Sequence, residues 1–185
     1  VSDDGPSVLA RDELAGVVER FGALTRSELS DALSELAFKR RTEVDPEAVD
    51  AAISLALAEY VLVPAPADAV REVTGESADG SGEDQAGSRH EDLLAIGPAA
   101  FPTPPPDVED LPHILSIPDR RVDRDALAEA TLDRFRDEVD AAVGTDDADA
   151  ADRLTVLLEV SYDIEAWAAV DVSAVRERIL AAIDG

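Results

Sequence analysis

Apolar residues recur every three or four positions over most of this chain, and the breaks in that rhythm mark where it turns. Leu14, Val17, Val18 and Phe21 share one helical face, which predicts a helix from about Asp12 to Phe21, ended by Gly22. Thr25-Arg26-Ser27-Glu28 has the form of a capping box, in which the Thr hydroxyl accepts a backbone N–H while the Glu reaches back to the cap residue. It opens a second helix that carries Leu29, Leu33 and Leu36 along one side. Asp45-Pro46 starts a third, with Asp as cap and Pro at the first helical position, where its missing N–H does no harm. Val49, Ile53, Leu57 and Tyr60 line that helix, and Tyr60-Val61-Leu62-Val63 then favours extended backbone through β-branching.

Residues 74–90 hold no aliphatic side chain larger than Ala, so they bury too little to offset the cost of ordering, about 1–2 kcal/mol per residue of backbone. They read as a flexible loop. A short apolar run, Leu93-Leu94-Ala95-Ile96, follows and predicts a second strand. Next comes a connector with seven of the eleven prolines (Pro98, Pro102, Pro104, Pro105, Pro106, Pro112 and Pro118). The helical rhythm resumes with Leu127, Thr131 or Leu132, Phe135, Val139 and Ala142, then Leu154, Leu157, Leu158 and Tyr162 after an Asp-rich turn at 146–149. A last helix from about Asp171 carries Val175, Ile179, Leu180 and Ile183, and such short connections predict a helical hairpin or three-helix unit.

Three short helices, a strand, a loop and a second strand follow the order of a winged helix-turn-helix, with the two strands as wing and residues 64–91 as its long tip. The expected fold is therefore mainly α. It comprises a winged-helix-like domain over residues 8–97 with a flexible wing loop at 74–90, a Pro-rich connector over 98–122 and a helical region over 123–185.

Composition sharpens this picture. There are 42 Asp and Glu against 16 Lys and Arg, a net charge of −26, and only Lys39 among the basic residues is lysine. That many carboxylates repel one another in dilute buffer and are screened in concentrated salt, so the surface suits a high-salt cytoplasm and a fold that gains helix as salt is added. Neither a secretion signal nor an apolar stretch of about 20 residues is present, which predicts a cytoplasmic protein with no membrane contact. The absence of Cys removes disulfides, thiolate nucleophiles and Cys-ligated zinc together.

The helix-turn-helix order raises DNA binding, yet the third helix carries Glu47, Asp50 and Glu59 and no residue of the kinds that read base edges. Phosphate contact then rests on Lys39, Arg40 and Arg41 at the end of the second helix, where cations also suit the negative helix terminus, and on Arg71 and Arg89 flanking the wing tip. Enzyme chemistry has little foothold. His90 and His113 alone do not make a zinc site, Asp146-Asp147-Ala148-Asp149 lacks the Gly and distal Glu of a calcium loop, and no phosphate-binding Gly-Lys-Ser or Gly-Lys-Thr occurs. No catalytic residue, metal or cofactor is expected.

The segments FGALTRSELSDALSELAFKR (21–40), GPAAFPTPPPDVEDLPHILSIPDR (97–120) and SYDIEAWAAVDVSAVRER (161–178) resemble an uncharacterised family of conserved proteins from halophilic archaea. No activity travels with the resemblance. The expected function is a winged-helix regulator that binds DNA or docks on the transcription machinery, and the alternative is an interaction or scaffold protein without nucleic-acid contact. The apolar stripe of Leu127, Phe135 and Val139 adds the expectation of a homodimer through residues 123–184.

Overall fold

The fold is that of a computed structural model and is described for residues 11–42, 45–73, 92–145 and 148–184. Helix α1 (Arg11–Phe21) ends at Gly22, whose φ of 81° turns the chain into a three-residue strand, β1 (Ala23–Thr25). Thr25 is also the cap of α2 (Arg26–Lys39). Its hydroxyl accepts the Glu28 amide at 3.1 Å, and the Glu28 carboxylate accepts the Thr25 amide at 2.8 Å, which is the expected capping box. Helix α3 (Pro46–Ala58) begins as expected on Asp45, whose carboxylate accepts the Glu47 amide at 3.0 Å.

Strands β2 (Leu62–Ala65) and β4 (Leu93–Ile96) pair antiparallel, and β1 pairs antiparallel with the other edge of β4, giving a sheet ordered β1-β4-β2. Two strands were expected. The third, β1, escaped because its three residues also read as the approach to a helix cap. The expected extended run also starts two residues late, since Tyr60 takes a left-handed φ of 60° directly after α3.

Side chains alternate across this sheet, and both of its faces are covered. Leu24, Leu62 and Leu94 join α1, α2 and α3 in one core, built on Leu14, Val18, Phe21, Leu33 and Ile53. Ala23, Val63 and Ala95 form a row on the opposite face. There they meet Phe135 and Val139 of α5 (Arg124–Val143), Leu157 and Ile164 of α6 (Ala148–Ala168) and Ile179 of α7 (Ser173–Ile183). The sheet is thus the shared wall between two helical layers. The fold is mainly helical with small antiparallel sheets, and among the described residues no helix is long and apolar enough to cross a membrane.

The segment expected as a connector is built into this body. Val108 and Leu111, the latter opening the short helix α4 (Leu111–Ile114), are buried in the first core, and the Thr103 amide donates to the Asp12 carbonyl of α1 at 2.9 Å. Part of the expected wing tip is also ordered: β3 (Val70–Glu72) pairs antiparallel with β5 (Arg120–Val122) as a two-stranded ribbon. The expected loop at 74–90 lies outside the described residues. The stripe that suggested a homodimer through 123–184 is covered from within the chain, with Leu127, Phe135 and Val139 all buried against the sheet and the neighbouring helices. The reason for expecting that contact therefore falls away.

Candidate functional site

The outward residues of α3, the third helix of the expected helix-turn-helix, are Glu47, Asp50, Ala51, Ser54 and Leu55. Among the described residues one cation reaches them, Arg26 of α2, which forms an ion pair with Asp50 and donates to the Ser54 hydroxyl at 3.0 Å. The face is left acidic and small-residued around Leu55, which is 52% exposed.

The far end of α3 is held by the C-terminal helices. Arg134 of α5 donates to the Leu57 carbonyl at 2.9 Å, and Arg153 of α6 donates to the Ala58 carbonyl at 2.5 Å. Both guanidinium groups pair with Glu138, Arg134 at 2.8 Å, so two cations cap the negative end of the helix while one carboxylate fixes them. Arg134 also lies over the Tyr60 ring at 4.4 Å, and Tyr60 meets Phe135 edge to face at 6.2 Å. The orientation of α3 is therefore set by both helical layers.

The basic residues singled out for phosphate contact are dispersed. Lys39 pairs with Asp110 at 2.8 Å; that hydrogen bond holds the Lys39 ammonium above its ordinary pKa and the Asp110 carboxyl below its own. Arg40 reaches Glu13 of α1 at 3.6 Å. Arg41, at a left-handed φ of 55°, makes no ion pair among the described residues and stands near Phe38, which is 77% exposed. Arg71 lies in β3, and Arg89 lies outside the described residues. The ribbon that holds Arg71 is tied to the start of α2 through Arg120 and Glu28, whereas Lys39 ends the same helix. Eleven residues of helix, about 16 Å, separate these points, so the two basic groups are not brought together.

Three cations that pattern reading passed over organise the structure: Arg120, Arg134 and Arg153. The Arg134 and Glu138 pair is visible as an i, i+4 spacing. The carbonyls that Arg134 and Arg153 cap lie 77 and 95 residues away, and no local signal announces them. Among the described residues no group of three His, Asp or Glu is arranged to hold a metal ion.

These features define a mainly helical protein whose small central sheet is shared by two helical layers and whose cations are largely engaged in structural ion pairs. Residues 12–184 match the model of a family of unknown function (DUF7109), and the chain belongs to that family. No curated protein and no solved structure gives a match.

Proposed function

We propose that this protein is a winged-helix-like regulatory interaction protein of a high-salt cytoplasm, in which the outward face of α3 docks on a protein and not on DNA. The element order α1-β1-α2-α3-β2-β4, with β4 between β1 and β2, supports the winged-helix reading, and that likeness carries no function by itself. The net charge of −26 supports the high-salt setting.

The observation that carries the proposal is the chemistry of α3. A helix that enters a major groove needs donors for base edges and cations for phosphates, whereas Glu47, Asp50, Ala51, Ser54 and Leu55 offer carboxylates, small residues and one exposed leucine. Lys39 and Arg40 are occupied by Asp110 and Glu13, so a phosphate would have to displace a carboxylate from each. The rival DNA reading is left with Arg41, just past the end of α2, with Arg71, on a ribbon tied to the start of that helix, and with Arg89.

Titration of fluorescent duplex DNA at the lowest KCl that retains full helicity tests the choice. The expected result is no saturable binding, either by the native chain or by the Lys39→Ser, Arg40→Ser, Arg41→Ser triple variant. Binding that the triple variant loses would establish the DNA reading in its place.

A further inference from the structure

Arg71 and Arg121 are directly opposite each other in the antiparallel β3–β5 ribbon, and both are exposed. Side chains so placed share one face, with Cβ atoms about 4.5–5.5 Å apart. Their strand neighbours turn the other way: Val70 and Val122 pack on the second core, and Arg120 reaches Glu28. The outer face of the ribbon therefore presents two guanidinium groups side by side.

Like charges directly opposite in a sheet are unfavourable unless something neutralises them. In a chain with 42 acidic residues that something is close at hand, yet neither arginine makes an ion pair or side-chain hydrogen bond with the described residues. Among the described residues, the carboxylates that stand beside the pair, Glu72 and Asp123, each engage another group. Glu72 pairs with Arg120 at 3.8 Å, and Asp123 accepts the amides of Asp125 and Ala126 at 3.1 and 3.2 Å as the cap of α5. Arg71 and Arg121 line an open depression of about 450 Å³ together with Ala69, Val73 and the carboxylate residues Glu72 and Asp123.

We propose that Arg71 and Arg121 form a receptor for a phosphate monoester dianion. Two planar guanidinium forks match the oxygens of one phosphate in bidentate fashion, and two positive charges match its two negative ones. A backbone phosphodiester carries a single charge and satisfies the pair less well. This site is independent of the α3 face and stands or falls separately from it.

The test is a titration of the full chain with inorganic phosphate, with phosphoserine and with short duplex DNA, followed by phosphorus NMR and by the thermal midpoint. About 1 M KCl is present throughout, so that the protein's overall negative field is screened within about 3 Å. Saturable binding of inorganic phosphate or phosphoserine is expected, with a raised thermal midpoint. Arg71→Gln and Arg121→Gln should each weaken it about tenfold or more, and Arg136→Gln, which alters an exposed cation paired with Asp133, should leave it unchanged. Without ligand both ribbon variants should unfold at the native temperature or above it, because a repulsion has been removed. Tighter binding of phosphoserine assigns a phosphorylated side chain as ligand, and tighter binding of free phosphate assigns the ion itself. The proposal is overturned by absence of saturable binding, by ribbon variants that bind as the native chain does, by an equal loss in Arg136→Gln, or by duplex DNA binding as tightly as phosphoserine.

Discussion

Glu28 holds Arg120 across 92 residues of sequence, Oε1 accepting from Nη2 at 2.8 Å and Oε2 from Nη1 at 2.6 Å. The same Oε2 accepts the Thr25 amide at 2.8 Å, so one carboxylate closes the cap of α2 and anchors the β3–β5 ribbon. Arg120 also donates to the Ala23 carbonyl at 3.0 Å and its side chain is only 8% exposed. Removing Arg120 thus leaves Glu28 underpaired and a strand carbonyl without its donor. Arg120→Gln should cost about 2–3 kcal/mol, short of the roughly 3–5 of a fully buried pair because Glu28 keeps some solvent. Thr25→Ala, which removes only the cap hydroxyl, should cost about 1 kcal/mol. Denaturant unfolding in molar KCl measures both, and the opposite ranking would place the ribbon anchor outside the cooperative core.

The pH dependence of Glu28 follows from its surroundings. Burial pushes its carboxyl pKa up, but the Arg120 guanidinium and the Thr25 amide and hydroxyl outweigh this and hold it below the ordinary 4.5. A carboxyl whose folded pKa is depressed stabilises the fold fully above its unfolded value and loses that contribution as pH falls through the folded one. The stability difference between the native chain and Glu28→Gln should therefore be constant above about pH 5 and shrink below about pH 4.5. Paired denaturation curves at several pH values check this, since subtracting one from the other removes the titration of the remaining carboxylates.

Gly16 sits inside α1, where alanine ordinarily adds about 1 kcal/mol of helix stability. Here a Cβ would lie 2.3 Å from the Thr103 carbonyl oxygen, because the Pro-rich segment crosses α1 at that point. Gly16→Ala should consequently destabilise the protein, and thermal unfolding gives the sign. A stabilised variant would mean that residues 98–122 do not pack on α1.

Arg153 joins α6 to the last turn of α3. Arg153→Met keeps much of the stem and removes the charged hydrogen bonds to Ala58 and Glu138, for an expected loss of about 1.5–3 kcal/mol. Hydrogen exchange should quicken at the Glu59 and Tyr60 amides, which close the end of α3, before it quickens in α1. Uniform quickening throughout the chain would show only a global loss of stability.

Local chemistry made the N-terminal helices legible. Thr25 with Glu28, and Asp45 with Pro46, sit within one turn of what they cap, and the residues they position recur at helical spacing. The C-terminal helices were legible for the same reason. The sheet was legible only in part: strands β2 and β4 were expected, but β1 was not, because it is three residues long and alternation in β1, β2 and β4 serves two cores at once, Leu24 facing one and Ala23 the other. The connector hid its role as well, since Val108 and Leu111 fit a pattern only once α1 and α2 are in place. Long-range ionic contacts were least legible, as with Lys39 and Asp110, because charge complementarity between distant residues has no period to detect.

The face of α3 is the centre of the functional account, and a photo-crosslinking amino acid at Leu55 examines it directly. Crosslinking in whole cells or native extract at molar salt, followed by separate nuclease and protease digestion, distinguishes the two kinds of partner. The account predicts a discrete protein adduct that is sensitive to protease, resistant to nuclease and lost when Asp50 and Ser54 are replaced by arginine. A nuclease-sensitive adduct that strengthens with those arginines would contradict it and make α3 a DNA-reading helix.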